Sequence, residues 1–346
     1  MTPARDFIVS TLAVAGLALA AVGTLNAWVD PSMQYRVPSY QPRFSSGYAR
    51  QINAGLARNL AYDAVIVGSS YAMNFRNSDF DREFGGRTIS LAMPGMFVSE
   101  ARKAIDYAAT QRRIGSVYFG LDFFAFDESQ NKYDFPDYLY DDSILNDSPY
   151  LLSLDTTKRS LNIVADRALG SFNTDRDSPW SWARNGARFD RGLALSDYAK
   201  YRSNPPRALP LDRMRAQATE QIDAMLRQHP ATVFHFFLPP YSALTWIAHD
   251  EAGNLNHLLA FRVYLADLIA RHPNGHLHDF QSMTELICNL DHYTDIGHYG
   301  PDDSRMLVSA MRSGKYLASP QVVHANNEVL RDAARKRCSG SIPVLW

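Results

Sequence analysis

The stretch Ala64-Val-Ile-Val-Gly-Ser-Ser-Tyr-Ala72 decides how this chain is read. Four apolar residues run straight into Gly68-Ser69-Ser70, and residues compatible with a helix follow. The pattern is that of a buried strand, a sharp turn and a helix start. In open α/β sheets such a turn stands at the carboxyl end of a strand, where ligand crevices form. A serine there would hold its backbone N–H near a helix N-terminus, a favourable place for a developing negative charge. Strand-Gly-Ser turns are also common as plain structure, so the chemistry has to be argued from the rest of the chain.

Outward from that turn, strand and helix signals alternate. Arg87-Thr-Ile-Ser-Leu-Ala92 reads as a strand closed by Met93-Pro94-Gly95, and Ser116 to Leu121 as another, ending at Asp122. Thr232 to Leu238 is an apolar strand broken by Pro239-Pro240, and His276 to Phe280 a last short one. Between them, helical faces are marked by Ala101, Ile105 and Ala108, by Met214, Ala218, Ile222 and Met225, and by Leu258, Phe261, Leu265 and Ile269. Ala49 to Asn59 predicts a short helix ahead of the first strand. This rhythm predicts an α/β domain over residues 60–315, with a parallel sheet covered on both faces. Residues 126–208 interrupt it with Asp127, Asp134, Asp137, Asp141 and Asp142 among Tyr133, Phe135, Tyr138 and Tyr140, then Trp180 and Trp182. They read as an insertion folding over the crevice mouth, either a lid or sugar-stacking surface or a solvated excursion.

The segment Phe7 to Trp28 carries no charged residue and would span about 33 Å as a helix, enough to cross a bilayer. It reads as an uncleaved anchor over residues 1–28. A cleavable signal peptide is the competing reading, with Leu17-Ala-Leu-Ala20 offering small residues. Either sends the remainder out of the cytoplasm. Residues 29–59 read as a stalk and 316–346 as a C-terminal tail. Cys288 and Cys338 are the chain's two cysteines, free to pair in an exported protein or to remain buried thiols. No Cys/His cluster has metal-ligand spacing, and neither metal nor cofactor is expected. With 21% charged residues and a formal net charge of −1, nothing suggests a nucleic-acid partner.

A serine nucleophile needs a base within hydrogen-bond reach and a group that orients the base. Leu290-Asp-His-Tyr-Thr-Asp295-Ile-Gly-His298-Tyr-Gly-Pro301 supplies both from one loop. An Asp three residues before a His on a tight turn can reach back to the imidazole and fix its tautomer. No other Asp-x-x-His occurs in the chain. His292 is the rival base; His235 reads as a core residue, and His276 and His278 flank a strand.

Gly68-Ser69-Ser70, Gly95, Gly120-Leu121-Asp122 and Asp295-x-x-His298, in that order, resemble the SGNH (GDSL-like) hydrolase superfamily. With the apolar leader, Val29-Asp30-Pro31 and Gly-Leu-Asp-Phe-Phe, the chain is more closely similar to a membrane-anchored extracytoplasmic branch. That branch includes the alginate-acetylation and D-alanylation (DltD-like) proteins, which work beside membrane-bound O-acyltransferases. The resemblance covers roughly residues 60–125 and 230–315. It implies a three-layer flavodoxin-like fold, Ser70 as nucleophile with Ser69 as fallback, His298 as general base and Asp295 as its orienter. It also implies an oxyanion hole at Ser70, Gly95 and the third-block position. The family carries Asn there as an amide donor, whereas this chain has Asp122, which when ionised only accepts. The implied activity is transfer or hydrolysis of a short acyl ester, acetyl by expectation, on a cell-surface polysaccharide. The implied location is the inner membrane, single-pass, with the domain in the periplasm and a membrane-bound O-acyltransferase as partner. A non-catalytic assembly or glycan-binding subunit on the same fold is the alternative.

Overall fold

The computed structural model describes residues 3–165, 173–340 and 342. Helix α1 (Pro3–Val29) is long and apolar enough to be a membrane span or a signal sequence. Helix α2 (Ala49–Asn59) follows, then strand β1 (Ala64–Val67), helix α3 (Asn77–Phe84), strand β2 (Thr88–Ser90), helix α4 (Val98–Gln111) and strand β3 (Ser116–Gly120). The insertion holds the single turn α5 (Ser148–Leu151), α6 (Leu154–Val164) and α7 (Arg191–Ser203). After it come α8 (Leu211–Ala218) and α9 (Ala224–Gln228), β4 (Val233–Leu238), α10 (Ala243–Glu251), α11 (Leu255–Ala270) and β5 (Gly275–Asp279). The turn α12 (Thr284–Ile287), α13 (Pro301–Ser313) and α14 (Pro320–Arg335) complete the order.

The five strands form one all-parallel sheet in the order β2-β1-β3-β4-β5. This is the flavodoxin-like arrangement, with its switch point between β1 and β3. Strand β1 is buried along its whole length, as a central parallel strand must be, which is why its sequence is an unbroken apolar run. The step from β1 to β2 runs opposite to the later steps, so right-handed crossovers put α3 on one face and α4, α8/α9 and α11 on the other. Helix α13 packs on α3, and α11 packs on α8 and β5. The predicted fold class is thus the observed one.

Three expectations are corrected. Residues after Ser70 do not enter a helix: i to i+3 bonds from Ala72 N–H to Ser69 and from Met73 N–H to Ser70 make a turn, and α3 begins only at Asn77. Residues 29–59 are not a stalk. Asp30, Ser32 and Gln34 are fully buried, because the Asp30 carboxylate accepts from the N–H groups of Gln34 (2.8 Å) and Tyr35 (2.7 Å) and from Tyr150 (3.0 Å). Polar residues that look solvated by composition here find hydrogen-bond partners inside the fold, although the Gln34 Oε1 has none. Residues 316–346, read as a tail, hold α14, which packs on α10 and α11. Residues 166–172 of the insertion, and 341 and 343–346 of the tail, lie outside the described residues.

Cys288 and Cys338 form a disulfide that closes a 50-residue separation. Constraining a loop of that length in the unfolded chain is worth about 2–4 kcal/mol. Cys338→Ser, or reduction of the wild type, is therefore expected to lower unfolding free energy by that amount. Urea titrations with and without reductant read it, and equal midpoints would count against the bond.

Candidate active site

Gly68 makes the turn that ends β1. Its φ is +142°, and a Cβ there would lie 2.9 Å from the Ala72 Cβ, so only glycine fits without displacement. The turn sets Ser69 inward and Ser70 at the half-exposed surface. The loop after β5 delivers the other groups across 228 residues of sequence. His298 Nε2 lies 2.7 Å from Ser70 Oγ, and His298 Nδ1 lies 2.7 Å from Asp295 Oδ2. A carboxylate only accepts, so Nδ1 carries the proton it shares with Asp295, and Nε2 is left to accept from the Ser70 hydroxyl.

Asp295 closes the tight loop predicted for it. Its other oxygen accepts from the N–H groups of Gly297 (2.8 Å) and His298 (2.7 Å). Burial, the largest single influence, works to raise its pKa; the hydrogen bonds and charge of His298 with those two N–H groups outweigh it and hold the carboxyl below its ordinary value. Gly297 between them is fixed by a close approach, since a Cβ there would fall 2.4 Å from the Tyr71 hydroxyl. The loop is pinned from behind by Ser242 (2.6 Å) and Thr245 (2.7 Å), whose hydroxyls donate to the Ile296 carbonyl.

Two aromatic residues that sequence reasoning did not single out hold the imidazole. Tyr71 stacks on His298 with ring centroids 4.4 Å apart and planes 11° from parallel. Trp182 meets the same ring edge-on at 5.4 Å and donates its indole N–H to the Ser70 carbonyl at 2.9 Å. The insertion thus reaches the site through Trp182. Its acidic and aromatic run mostly packs elsewhere: Tyr140 donates to the Arg50 carbonyl (2.7 Å), and Lys103 pairs with Asp137 (2.6 Å). Only Tyr133 of that run reaches the site, lying where a Gly95 Cβ would be, with the Arg50 guanidinium 3.8 Å from its ring centroid.

The three expected oxyanion groups fare differently. The N–H groups of Ser70 and Gly95 donate to no acceptor among the described residues. Gly95 has φ +56° and sits on the loop whose Met96 sulfur accepts from the Gly68 N–H. Asp122 is corrected: it is not an oxyanion donor. It is buried, with one oxygen accepting from the Ser69 hydroxyl and the other from Tyr241 at 2.7 Å. Ser69, the fallback nucleophile, is thereby occupied. The rival base His292 instead faces Asp303 at 2.7 Å. His235 is half-buried among Phe84 and Tyr118, and burial pushes its pKa down to about 4.

Burial pushes the Asp122 carboxyl up to about 6, against the hydroxyls of Ser69 and Tyr241, which pull it down. A raised folded-state value means that the stability Asp122 contributes is full below its unfolded value of 3.8 and is lost as pH rises through about 6. Asp122→Asn removes that titration while still offering one acceptor and one donor. The loss of stability between pH 4 and pH 7 should therefore be smaller in the variant than in wild type by about 2 kcal/mol. Denaturant titrations across that range read it; identical pH curves would refute it.

Among the described residues no group of three or more His, Cys, Asp or Glu side chains is arranged to hold a metal. No family profile and no curated protein matches the sequence. Among solved structures, the chain is similar to a Streptococcus pneumonia protein assigned as a platelet activating factor, at 8% identity and a TM-score of 0.42, over 78% of this chain and 92% of that one. A likeness that distant carries no argument about what this chain does.

Proposed function

We propose that the chain is a serine esterase or O-acyltransferase of the SGNH type. The observation that supports it is the unbroken relay from Ser70 Oγ through His298 to Asp295, with both links at 2.7 Å. In this reading Ser70 attacks an ester carbonyl while His298 Nε2 takes the hydroxyl proton. The free N–H groups of Ser70 and Gly95 receive the oxyanion, a few kcal/mol for each donor in place. His298 then returns the proton to the leaving alcohol, and a serine ester remains. Water completes hydrolysis; a sugar hydroxyl completes transfer, with the same proton path. Asp295 stays ionised and stabilises the imidazolium formed in each half-reaction. A short acyl group, a cell-surface polysaccharide acceptor, a membrane-bound O-acyltransferase partner and a periplasmic address follow from the family resemblance. The apolar helix α1 and the disulfide agree with an exported, membrane-held domain.

A fluorophosphonate probe tests the reading on the full-length protein in detergent. Stoichiometric labelling of the wild type is expected, with none in Ser70→Ala. Labelling that persists in that variant, or a wild type that stays unlabelled while a control esterase reacts, would overturn it.

A further inference from the structure

Helix α6 is built inside out. In a water-soluble protein the apolar stripe of a surface helix faces the core and the polar stripe faces solvent. Here the inward side carries Thr156 and Ser160, both buried, together with Arg159. The Arg159 guanidinium donates to the Ser32 hydroxyl (2.8 Å) and the Pro31 carbonyl (2.6 Å). The outward side carries Leu154, Leu161 and Val164, exposed by 76%, 52% and 55%, and Leu152 in the preceding turn is exposed by 43%. Lys158 lies between Leu154 and Leu161 on that face, with a stem long enough to carry its ammonium away from apolar surroundings. A cluster of aliphatic side chains turned outward marks a contact with something other than water.

The position of α6 against α1 says what that is. Asn26 of α1 is fully buried and donates to the Leu151 carbonyl (2.7 Å) and to Thr157 (2.9 Å). Leu152 reaches further down the same helix, 3.7 Å from where a Gly23 Cβ would be. Trp28 and Val164 line one hollow. At 1.5 Å per residue, Gly23 lies about 7–8 Å short of Trp28 along the axis and about 24 Å beyond Phe7. The hydrocarbon layer is about 30 Å thick. If the apolar run that starts at Phe7 spans it, Leu152 stands at the depth of the outer acyl-chain boundary. Amphipathic helices lying in the membrane plane sink their apolar faces about 5–10 Å into that boundary.

We propose that the outward face of α6, with Leu152, is seated in the outer interfacial layer of the same bilayer that α1 crosses. The domain then has two lipid contacts, one spanning and one monotopic. This rests on reading α1 as a membrane span.

The test uses the full-length protein in vesicles of phosphatidylcholine and phosphatidylglycerol at 3:1. The native cysteines are paired, so single introduced thiols can be labelled with an environment-sensitive nitrobenzoxadiazole dye. Leu154→Cys and Leu161→Cys probe α6, Leu17→Cys the middle of α1, and Val322→Cys the surface of α14. Fluorescence is quenched from the lipid side by doxyl-labelled lipids and from the water side by iodide. The expected result is doxyl quenching at positions 154 and 161, with iodide quenching several-fold weaker than at 322. Quenching by lipid at 17 but free iodide access at 154 and 161 would overturn the inference and leave the anchor standing. Shielding of 154 and 161 in native membranes but not in pure lipid vesicles would overturn it too, in favour of a membrane-protein partner. Iodide access at 17 would remove the anchor and the inference together.

Discussion

His298→Ala is expected to lower kcat/KM for p-nitrophenyl acetate by about a thousand-fold or more under the proposed function, and Ser70→Ala to do the same. The reason is that neither group works without the other. The serine hydroxyl is a weak nucleophile until Nε2, 2.7 Å away, can take its proton. The double variant Ser70→Ala/His298→Ala is therefore expected to be no slower than either single one, since residues acting as a unit lose their contribution together. Asp295→Asn should cost somewhat less, because the amide could still occupy the site but would no longer stabilise the imidazolium or fix the Nδ1 proton. Steady-state rates for the four proteins decide the matter. Multiplying losses in the double variant would mean that Ser70 and His298 act separately, and the acyl-enzyme reading would fail.

The largest expected effect on stability lies away from the site. Arg262 on α11 is wholly buried and donates to Asp279 at the end of β5 (2.6 Å), to Gln281, and to Asn327 of α14 (3.0 Å). Asp279 also accepts from Asn326 at 2.8 Å. Burial lowers the pKa of the guanidinium, yet it retains its charge because that carboxylate faces it. Asp279→Ala leaves a buried cation without its counter-charge and is expected to cost about 3–5 kcal/mol. Arg262→Met combined with Asp279→Leu removes both charges and fills the space, so it should cost less than the single change. Urea unfolding of the detergent-solubilised protein compares them. A double variant as unstable as Asp279→Ala would show that packing, and not the stranded charge, sets the loss. This network also ties α14 into the domain.

The parts of this molecule that were legible in the sequence are those whose cause is local. The apolar run at Ala64–Val67 announces a strand buried on both faces, and the sheet keeps it there. Asp295 and His298 are three residues apart, so their contact is nearly dictated by a tight loop. Spacing alone does not bring His298 to Ser70; the family resemblance raised that pairing, and the geometry has it. Apart from the local turn after Ser70, the misreadings share one cause. Polarity alone reads Asp30, Ser32 and Gln34 as a stalk, but the partners of Asp30 and Ser32 include Tyr150, more than a hundred residues on. Trp182 and Asp122 are named by the sequence, but their contacts are not legible there for the same reason: they lie with Ser70, His298, Ser69 and Tyr241, which only the folded sheet brings near. The aromatic residues of the insertion leave a sugar-stacking surface and a solvated excursion both open by sequence, whereas Tyr71 and Trp182 are spent on clamping a histidine.

The buried Asp30 turn changes how the domain is mounted. A flexible leash lets a tethered enzyme sweep a volume, so that its effective concentration towards a neighbour falls gradually with distance. Asp30 with the Asn26 clasp makes a bracket instead, so that if α1 spans a bilayer the domain would ride at one height and one tilt above the lipid. Against any membrane-held donor, encounters then reduce to sliding in a plane. Under the proposed function, with α1 spanning the bilayer, the distance between bilayer and mouth would itself be a specificity element, set by the Asp30 turn and not by the cleft.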